Sequence, residues 1–208
     1  MNQKAVNEPV RSYEPGSIDR KNLQNKYDKM ANEVIEIPLI IGGKEVRTED
    51  QEQCVMPHDH QHILGNFHMA GENEVQLAID SSMSAWKTWS KVGLGERTKI
   101  FRKAAELLQG PWRDTINAAT MLNQSKNAFQ AEIDAACELI DFFNFNCQYA
   151  EDIYGNQPLI SPEGVKNSLE YRPLEGFVFA ITPFNFTSIA ANLPCAPALM
   201  GNVSLWKP

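Results

Sequence analysis

The sequence has few cysteines, and none of them falls in a metal-binding or disulfide pattern. Cys54, Cys137, Cys147 and Cys195 show no C-x-x-C spacing and no histidine at the distances that zinc fingers use. Residues 1–21 contain no apolar core of the kind that a secretory signal needs, and they mix acidic with basic side chains. We therefore expect reduced thiols in a cytoplasmic protein.

The sequence also lacks an excess of positive charge and an uninterrupted apolar run. There are 19 Lys and Arg residues against 26 Asp and Glu, a net charge of −7, which argues against a nucleic-acid-binding surface. The most apolar stretch, residues 177–206, is interrupted by Pro183, Pro194 and Pro197. We therefore predict neither a membrane span nor a nucleic-acid partner.

The first 36 residues are predicted to form an arm, and a hairpin is predicted to follow it. Residues 1–30 are polar and contain Pro9, Pro15 and Gly16, which favours an extended segment along the surface. Residues 37–47 then read as a β-hairpin, because Gly42-Gly43 allows the positive φ angles of a tight turn. A second short strand is predicted at residues 63–67.

The region from residue 37 to 156 is otherwise predicted to be helical. Apolar residues recur every three to four positions in residues 72–90, and the same spacing marks residues 100–108 before a stop at Gly110-Pro111. Two further helices are expected at 114–122 and 128–149. These four helices predict a helical layer.

The pattern changes to short strands after residue 156. Residues 157–174 predict a protruding hairpin, with its clearest strand at 168–172. Residues 177–181 form a continuous apolar run typical of a strand that is covered on both faces. A helix at 188–200 and a strand at 203–206 follow, so residues 175–208 predict the start of a parallel sheet and an α/β fold. Because such a sheet needs more strands, we expect the chain to be part of a longer protein.

Several motifs in this last region resemble the aldehyde dehydrogenase superfamily. They are Gly176-Phe177-Val178-Phe179-Ala180-Ile181-Thr182-Pro183-Phe184-Asn185-Phe186, Ala196-Pro197-Ala198-Leu199, Gly201-Asn202 and Trp206-Lys207-Pro208. Several elements in this order are a far more specific signal than a lone glycine motif. The resemblance implies a helical layer plus the start of a parallel Rossmann-like sheet, with the hairpin used for oligomerisation.

Within that superfamily the chain is most similar to the 1-pyrroline-5-carboxylate dehydrogenases, over about residues 7–208. The segments that carry this likeness are residues 7–10, 130–136, 138–143, 174–177 and 183–187. It implies NAD-dependent oxidation of L-glutamate γ-semialdehyde to glutamate in proline catabolism, by a homo-oligomer. It also admits the mitochondrial matrix as an alternative compartment.

The resemblance assigns three residues to the reaction and the substrate. Asn185 matches the asparagine whose neutral amide donates to the oxyanion, although from its position alone it could simply cap the following helix. Phe186 matches an aromatic lining the substrate site, or else packs in the core. Glu138 matches an acidic residue that pairs with the substrate's α-ammonium group, or else is a solvated helix charge or part of a capping or surface ion pair.

The resemblance also supplies the cofactor site, since no G-x-G-x-x-G motif is present. Ile181, Thr182, Pro183 and Phe184 match the strand end that approaches NAD. Lys207 matches the lysine that binds the hydroxyl groups of the adenosine ribose. Ligands of open α/β sheets bind at the carboxyl ends of the strands, where these residues lie.

Two residue patterns resemble functional sites but are not interpreted as such. Cys195 lies at helical spacing among small apolar residues and is interpreted as a packed thiol, because the family's catalytic Cys and its general-base Glu lie further along than Pro208. The 208-residue chain is therefore expected to be inactive by itself. His58, His60 and His62 alternate as metal ligands on a strand would, but the family has only a turn there.

Two alternatives stay open. The chain could be an inactive interaction module, or it could belong to an aldehyde dehydrogenase with another substrate.

Overall fold

The computed structural model describes residues 4–208 as an assembly of helices and short strands. The helices are α1 (Ile18–Ala31), α2 (Glu72–Trp89), α3 (Leu94–Gln109), α4 (Arg113–Gln124), α5 (Ala128–Ala131), a π-helix (Glu132–Glu138), α6 (Leu139–Gly155) and α7 (Thr187–Leu199). The strands are β1 (Ile35–Ile37), β2 (Leu39–Ile41), β3 (Lys44–Val46), β4 (Gln51–Met56), β5 (Asp59–His68), β6 (Phe177–Ile181) and β7 (Val203–Lys207). No helix within residues 4–208 is long and apolar enough to cross a membrane.

The helical layer confirms the prediction made from apolar periodicity. Helices α3, α6 and α7 bury a common core, with Ile140 and Cys147 fully inaccessible and Leu199 nearly so. Phe101 and Phe143 meet edge to face, with ring centroids 5.7 Å apart. The predicted fourth helix is present but changes to a π-helix over Glu132–Glu138, an irregularity that apolar spacing does not reveal.

The β2–β3 hairpin confirms the Gly-Gly turn. Gly42 and Gly43 have φ angles of 60° and 75°, which the turn requires and which other residues adopt only with strain. The second predicted strand is the longer β5, which pairs antiparallel with β4 and parallel with β1. Strand β4 was missed because its first half, Gln51–Gln53, is polar and exposed.

The prediction of an extended arm is wrong for residues 18–31, which form α1. The Ser17 hydroxyl caps this helix by accepting from the Arg20 N–H at 3.2 Å. Its apolar spacing is too weak to identify it, since Leu23 is its one buried residue. Ahead of α1 the segment from residue 4 has no regular secondary structure, and Tyr13 is buried. Residues 1–3 of the predicted arm lie outside the described residues.

The hairpin predicted at residues 157–174 reverses direction but forms no strands. Gly164 has a φ of 74°, and the Gln157 side chain links the two limbs by accepting from the Leu169 N–H at 2.8 Å and donating to its carbonyl at 3.2 Å. The strand predicted at 168–172 is therefore wrong here. Leu159 is fully exposed and Ile160 84% exposed, so no buried face stabilises a two-stranded ladder.

The strand–helix–strand unit at the end confirms the α/β fold. Strands β6 and β7 are parallel, with Phe177 opposite Val203 and Ile181 opposite Lys207, and α7 connects them. The expectation that β6 is covered on both faces is wrong within this chain, because Ile181 is 63% exposed.

Candidate active site

The amino-terminal end of α7 is capped by Asp134 of the π-helix. One Asp134 carboxylate oxygen accepts from the Thr187 N–H at 3.2 Å, and the other accepts from the Ser188 N–H at 3.4 Å and the Ser188 hydroxyl at 2.9 Å. These contacts satisfy backbone donors that a helix start otherwise leaves free, and they place a negative charge at the positive end of the helix dipole. Asp134 is 5% exposed, so this cap is an interior contact.

Asn185 is consequently not the cap of α7. It lies in the turn between β6 and α7, is exposed, and makes no side-chain capping hydrogen bond. Its carbonyl oxygen accepts from the Lys126 ammonium at 2.6 Å. Within residues 4–208, no hydrogen bond engages the Asn185 side-chain amide, which is left available to a ligand.

Phe186 lies beside this turn rather than in the core. It is 42% exposed, and the Lys126 Nζ stands 4.3 Å from its ring centroid, in cation–π range. Among the described residues 4–208, Phe186 is therefore not part of the packed core.

Glu138 is half-buried and bound to Ser188, so the alternative of a solvated helix charge is wrong. Its Oε2 lies 2.9 Å from the Ser188 Oγ, which is also 2.9 Å from Asp134. A hydroxyl has one proton and can donate to only one of these carboxylates at a time. Over the described part of the chain no Lys or Arg forms an ion pair with Glu138, which leaves this carboxylate able to accept a ligand's cation.

The residues predicted to bind the cofactor meet at the carboxyl ends of β6 and β7. Thr182 is buried and donates its N–H to the Lys207 carbonyl at 3.1 Å, and Trp206 Nε1 donates to the Thr182 hydroxyl at 3.1 Å. Ile181 and Lys207 are paired and exposed, and Phe184 is 89% exposed just after Pro183. An accessible apolar surface beside a lysine fits a dinucleotide with hydroxyl and phosphate groups.

Cys195 takes no part in this arrangement. It packs against the core that α3, α6 and α7 share, and burial raises the pKa of its thiol. A raised pKa lowers the fraction of thiolate, the reactive form.

The histidine-rich segment lies at the β4–β5 turn and the start of β5, where the resemblance expected a turn. His58 Nδ1 is 2.9 Å from the Ser125 hydroxyl, and His62 Nε2 is 2.6 Å from the Ala31 carbonyl. Among residues 4–208 no group of three or more His, Cys, Asp or Glu side chains is arranged to hold a metal ion.

Three residues of the site were missed from the sequence: Lys126, Asp134 and Ser188. Asp134 lies in a segment that carries the family resemblance, but nothing in its spacing shows that it caps a helix 50 residues away. Lys126 follows the end of α4 in a loop and belongs to no motif. Only folding brings these side chains together.

The model of the aldehyde dehydrogenase family matches residues 45–208, which is most of the chain. The chain belongs to the aldehyde dehydrogenase family. The resemblance read from residues 176–208 is therefore confirmed.

Two relatives at 48% and 47% identity are both named Δ1-pyrroline-5-carboxylate dehydrogenase. The chain is 48% identical over 203 residues to the mitochondrial Δ1-pyrroline-5-carboxylate dehydrogenase of Dictyostelium discoideum, covering 98% of this chain and 36% of that protein. It is 47% identical to the human mitochondrial enzyme of that name, covering 99% of this chain and 36% of the human one. The chain thus spans about a third of the length of the curated relatives it matches.

Solved structures agree with these sequence matches. The Mycobacterium tuberculosis Δ-pyrroline-5-carboxylate dehydrogenase bound with NAD superposes with a TM-score of 0.96 at 48% identity, covering 99% of this chain and 38% of that one. A Thermus 1-pyrroline-5-carboxylate dehydrogenase with bound NAD gives a TM-score of 0.91 at 26% identity, covering all of this chain and 40% of that one. These likenesses confirm the predicted fold and the predicted resemblance to the 1-pyrroline-5-carboxylate dehydrogenases.

Proposed function

We propose that this chain contributes the oxyanion donor, part of the substrate site and part of the NAD site of a dehydrogenase that oxidises L-glutamate γ-semialdehyde to glutamate in proline catabolism. The observation that carries this proposal is the Asn185 amide, unpaired in the turn between β6 and α7 because Asp134 caps the helix in its place. The names of the relatives support the same activity and cofactor.

Asn185 has the properties of an oxyanion donor. When a thiolate adds to an aldehyde, the carbonyl oxygen gains negative charge, and a fixed neutral N–H donor stabilises that charge without itself titrating. The nucleophilic Cys and the general-base Glu are supplied outside these 208 residues, so we expect the chain alone to be inactive.

Glu138 and Phe186 suit the two ends of the substrate. The Glu138 carboxylate is half-buried and has no cationic partner among residues 4–208, so it can pair with the α-ammonium group. The partly exposed Phe186 ring offers an apolar wall to the methylene groups.

The ends of β6 and β7 suit the cofactor. Lys207 can donate to ribose hydroxyl groups, and Ile181, Thr182, Pro183 and Phe184 form the adjoining surface. NAD, when bound, accepts the hydride, and the protein's part is to hold the reacting groups in register.

The test compares Asn185→Ala with Asn73→Ala in the complete dehydrogenase. Asn73 is an exposed residue in the first turn of α2 and serves as the matched control. We expect NADH formation from the semialdehyde to fall about 10²- to 10³-fold in kcat for Asn185→Ala only. A wild-type enzyme that prefers simple aldehydes lacking an ammonium group would favour the alternative of another substrate class.

We also propose that residues 157–174 contribute to a homo-oligomer. Leu159 and Ile160 are large apolar residues left exposed in this loop. We expect Ile160→Asp to lower the oligomer mass of the complete enzyme in sedimentation velocity, and an unchanged mass would contradict this role. The same exposed residues favour the second candidate, an interaction module, only if the chain binds the complete enzyme without adding activity.

We propose a mitochondrial location for the complete protein, supported by the names of two relatives. Those from Dictyostelium discoideum and human are named mitochondrial, which supports the matrix over the cytoplasm. Imaging of the tagged complete protein against a matrix marker tests this.

A further inference from the structure

Lys126 lies in the loop after α4 and contacts the turn that carries Asn185. The residue before it, Ser125, ends α4 in the left-handed conformation with a φ of 54°, and the chain turns there. The Lys126 Nζ lies 2.6 Å from Asp134 Oδ2 and 2.6 Å from the Asn185 carbonyl. The Lys126 side chain is 16% exposed and that of Asp134 only 7%, so the pair is largely shielded from water.

The Lys126 ammonium group holds residues 185–188 at two points. It binds the backbone of residue 185 directly, and through Asp134 it binds the start of α7 at residues 187 and 188. Phe186, between these points, has its ring 4.3 Å from the same nitrogen. The turn is therefore fixed at every residue from 185 to 188 by contacts that converge on Lys126 and Asp134.

The direction of the Asn185 side chain is not set by hydrogen bonds of its own within the described residues. Since no hydrogen bond engages its amide within residues 4–208, its direction depends on the backbone from which it projects. A displacement of about 1 Å in a catalytic group is enough to cost about a hundredfold in rate.

We propose that Lys126 is a positioning residue that sets the backbone of the 185–188 turn and thereby aims the Asn185 amide. This inference rests on the proposed function of Asn185. Lys126 acts through Asn185 and Asp134 and need not touch the substrate itself.

The kinetic test uses Lys126→Met and Lys126→Arg in the complete dehydrogenase. Methionine keeps an unbranched apolar stem but removes the charge, whereas arginine keeps the charge. We expect Lys126→Met to lower kcat about 10- to 100-fold with the semialdehyde KM changed less than about threefold, because orientation of the oxyanion donor matters in the transition state. Lys126→Arg should have a kcat between those of Lys126→Met and the wild type.

The matched control is Lys99→Met. Lys99 is 71% exposed and, among residues 4–208, forms an ion pair only with Glu96, one helical turn away, so its loss should leave kcat within twofold. A Lys126→Met kcat within threefold of wild type, a loss confined to KM, or a Lys126→Arg variant no better than Lys126→Met would overturn the proposal.

Hydrogen exchange gives a readout that does not depend on the reaction. We expect Lys126→Met to speed exchange of the Thr187 and Ser188 amides at least about tenfold, with α3 and α6 unchanged. Faster exchange throughout the helical layer would show a general structural role and would overturn the proposal. If the wild-type enzyme fails to oxidise the semialdehyde, the proposed function falls, and exchange at residues 187 and 188 still decides whether Lys126 fixes the turn.

Discussion

Replacing Arg113 with methionine removes one half of the buried ion pair that fastens the amino-terminal segment to the helical layer. The Arg113 guanidinium is 2% exposed and binds the fully buried carboxylate of Glu132 in the π-helix. It also binds the Glu8 carboxylate and donates to the Pro9 carbonyl at 2.9 Å. One side chain therefore joins residues 8–9 to the same π-helix that carries Asp134.

The expected loss of unfolding free energy depends on the hydrogen-bond donors that remain around Glu132. Breaking a buried ion pair by removing one partner costs about 3–5 kcal/mol, because the other charge stays buried. Glu132 keeps four donors in the variant: the Arg11 N–H at 2.8 Å, the Tyr13 hydroxyl at 2.7 Å, the Asn117 amide at 2.8 Å and, more weakly, the Cys137 thiol at 3.6 Å. These neutral donors place the loss at the lower end, about 3 kcal/mol of unfolding free energy.

Urea unfolding of the 208-residue chain at pH 7, followed by circular dichroism, measures this loss. With a slope of about 2 kcal/mol per molar urea, the midpoint should fall by about 1.5 M. Adding Glu132→Gln to Arg113→Met removes the stranded charge and should recover at least about 1 kcal/mol. The control Arg47→Met breaks an exposed pair with Glu45 and should cost at most about 1 kcal/mol. A loss below about 1 kcal/mol in Arg113→Met, or a double variant no more stable than the single one, would refute the reasoning.

Three further outcomes are expected. Burial opposes ionisation of Glu132, but hydrogen bonds from Arg113, the Arg11 N–H and Tyr13 outweigh burial and lower the pKa of Glu132. The stabilisation that the Glu132 carboxylate provides is therefore present above about pH 4.3, the pKa of an unfolded Glu, and is lost as the pH falls through its lower pKa in the folded protein. Glu132→Gln should therefore lose stability less steeply than wild type in acid unfolding, and equal slopes would contradict this assignment. Ser188→Ala should raise the semialdehyde KM of the complete enzyme about fivefold, the equivalent of one hydrogen bond, with kcat within threefold; an unchanged KM would count against Ser188 holding Glu138. Cys195→Ala should leave kcat within threefold, and an inactive but folded variant would show that rejecting Cys195 as the nucleophile was wrong.

The strand–helix–strand unit could be predicted from the sequence because its signals are local. The apolar run at 177–181, the helical segment that ends before Gly201 and the run that starts at Val203 each specify an element by spacing alone. The order of the motifs between residues 176 and 208 was enough to identify the family.

Elements that depend on distant partners escaped prediction. Strand β4 begins with polar residues and is held by pairing with β5, while α1 has a weak apolar face and buries only Leu23. In both cases long-range contacts outweigh local preference. The same holds in reverse for residues 168–172, whose local strand pattern finds no partner in this chain.

The sequence by itself determined the family and led to the proposal of Asn185, Glu138 and Lys207 as site residues. Only the tertiary structure decided that Asp134 caps α7, which leaves the Asn185 amide unpaired. It also decided that Lys126 binds both the Asp134 carboxylate and the Asn185 carbonyl. These side chains come from segments up to 59 residues apart, and the distance between Lys126 and the Asn185 carbonyl exists only once the helical layer and the β6–α7 turn have packed together.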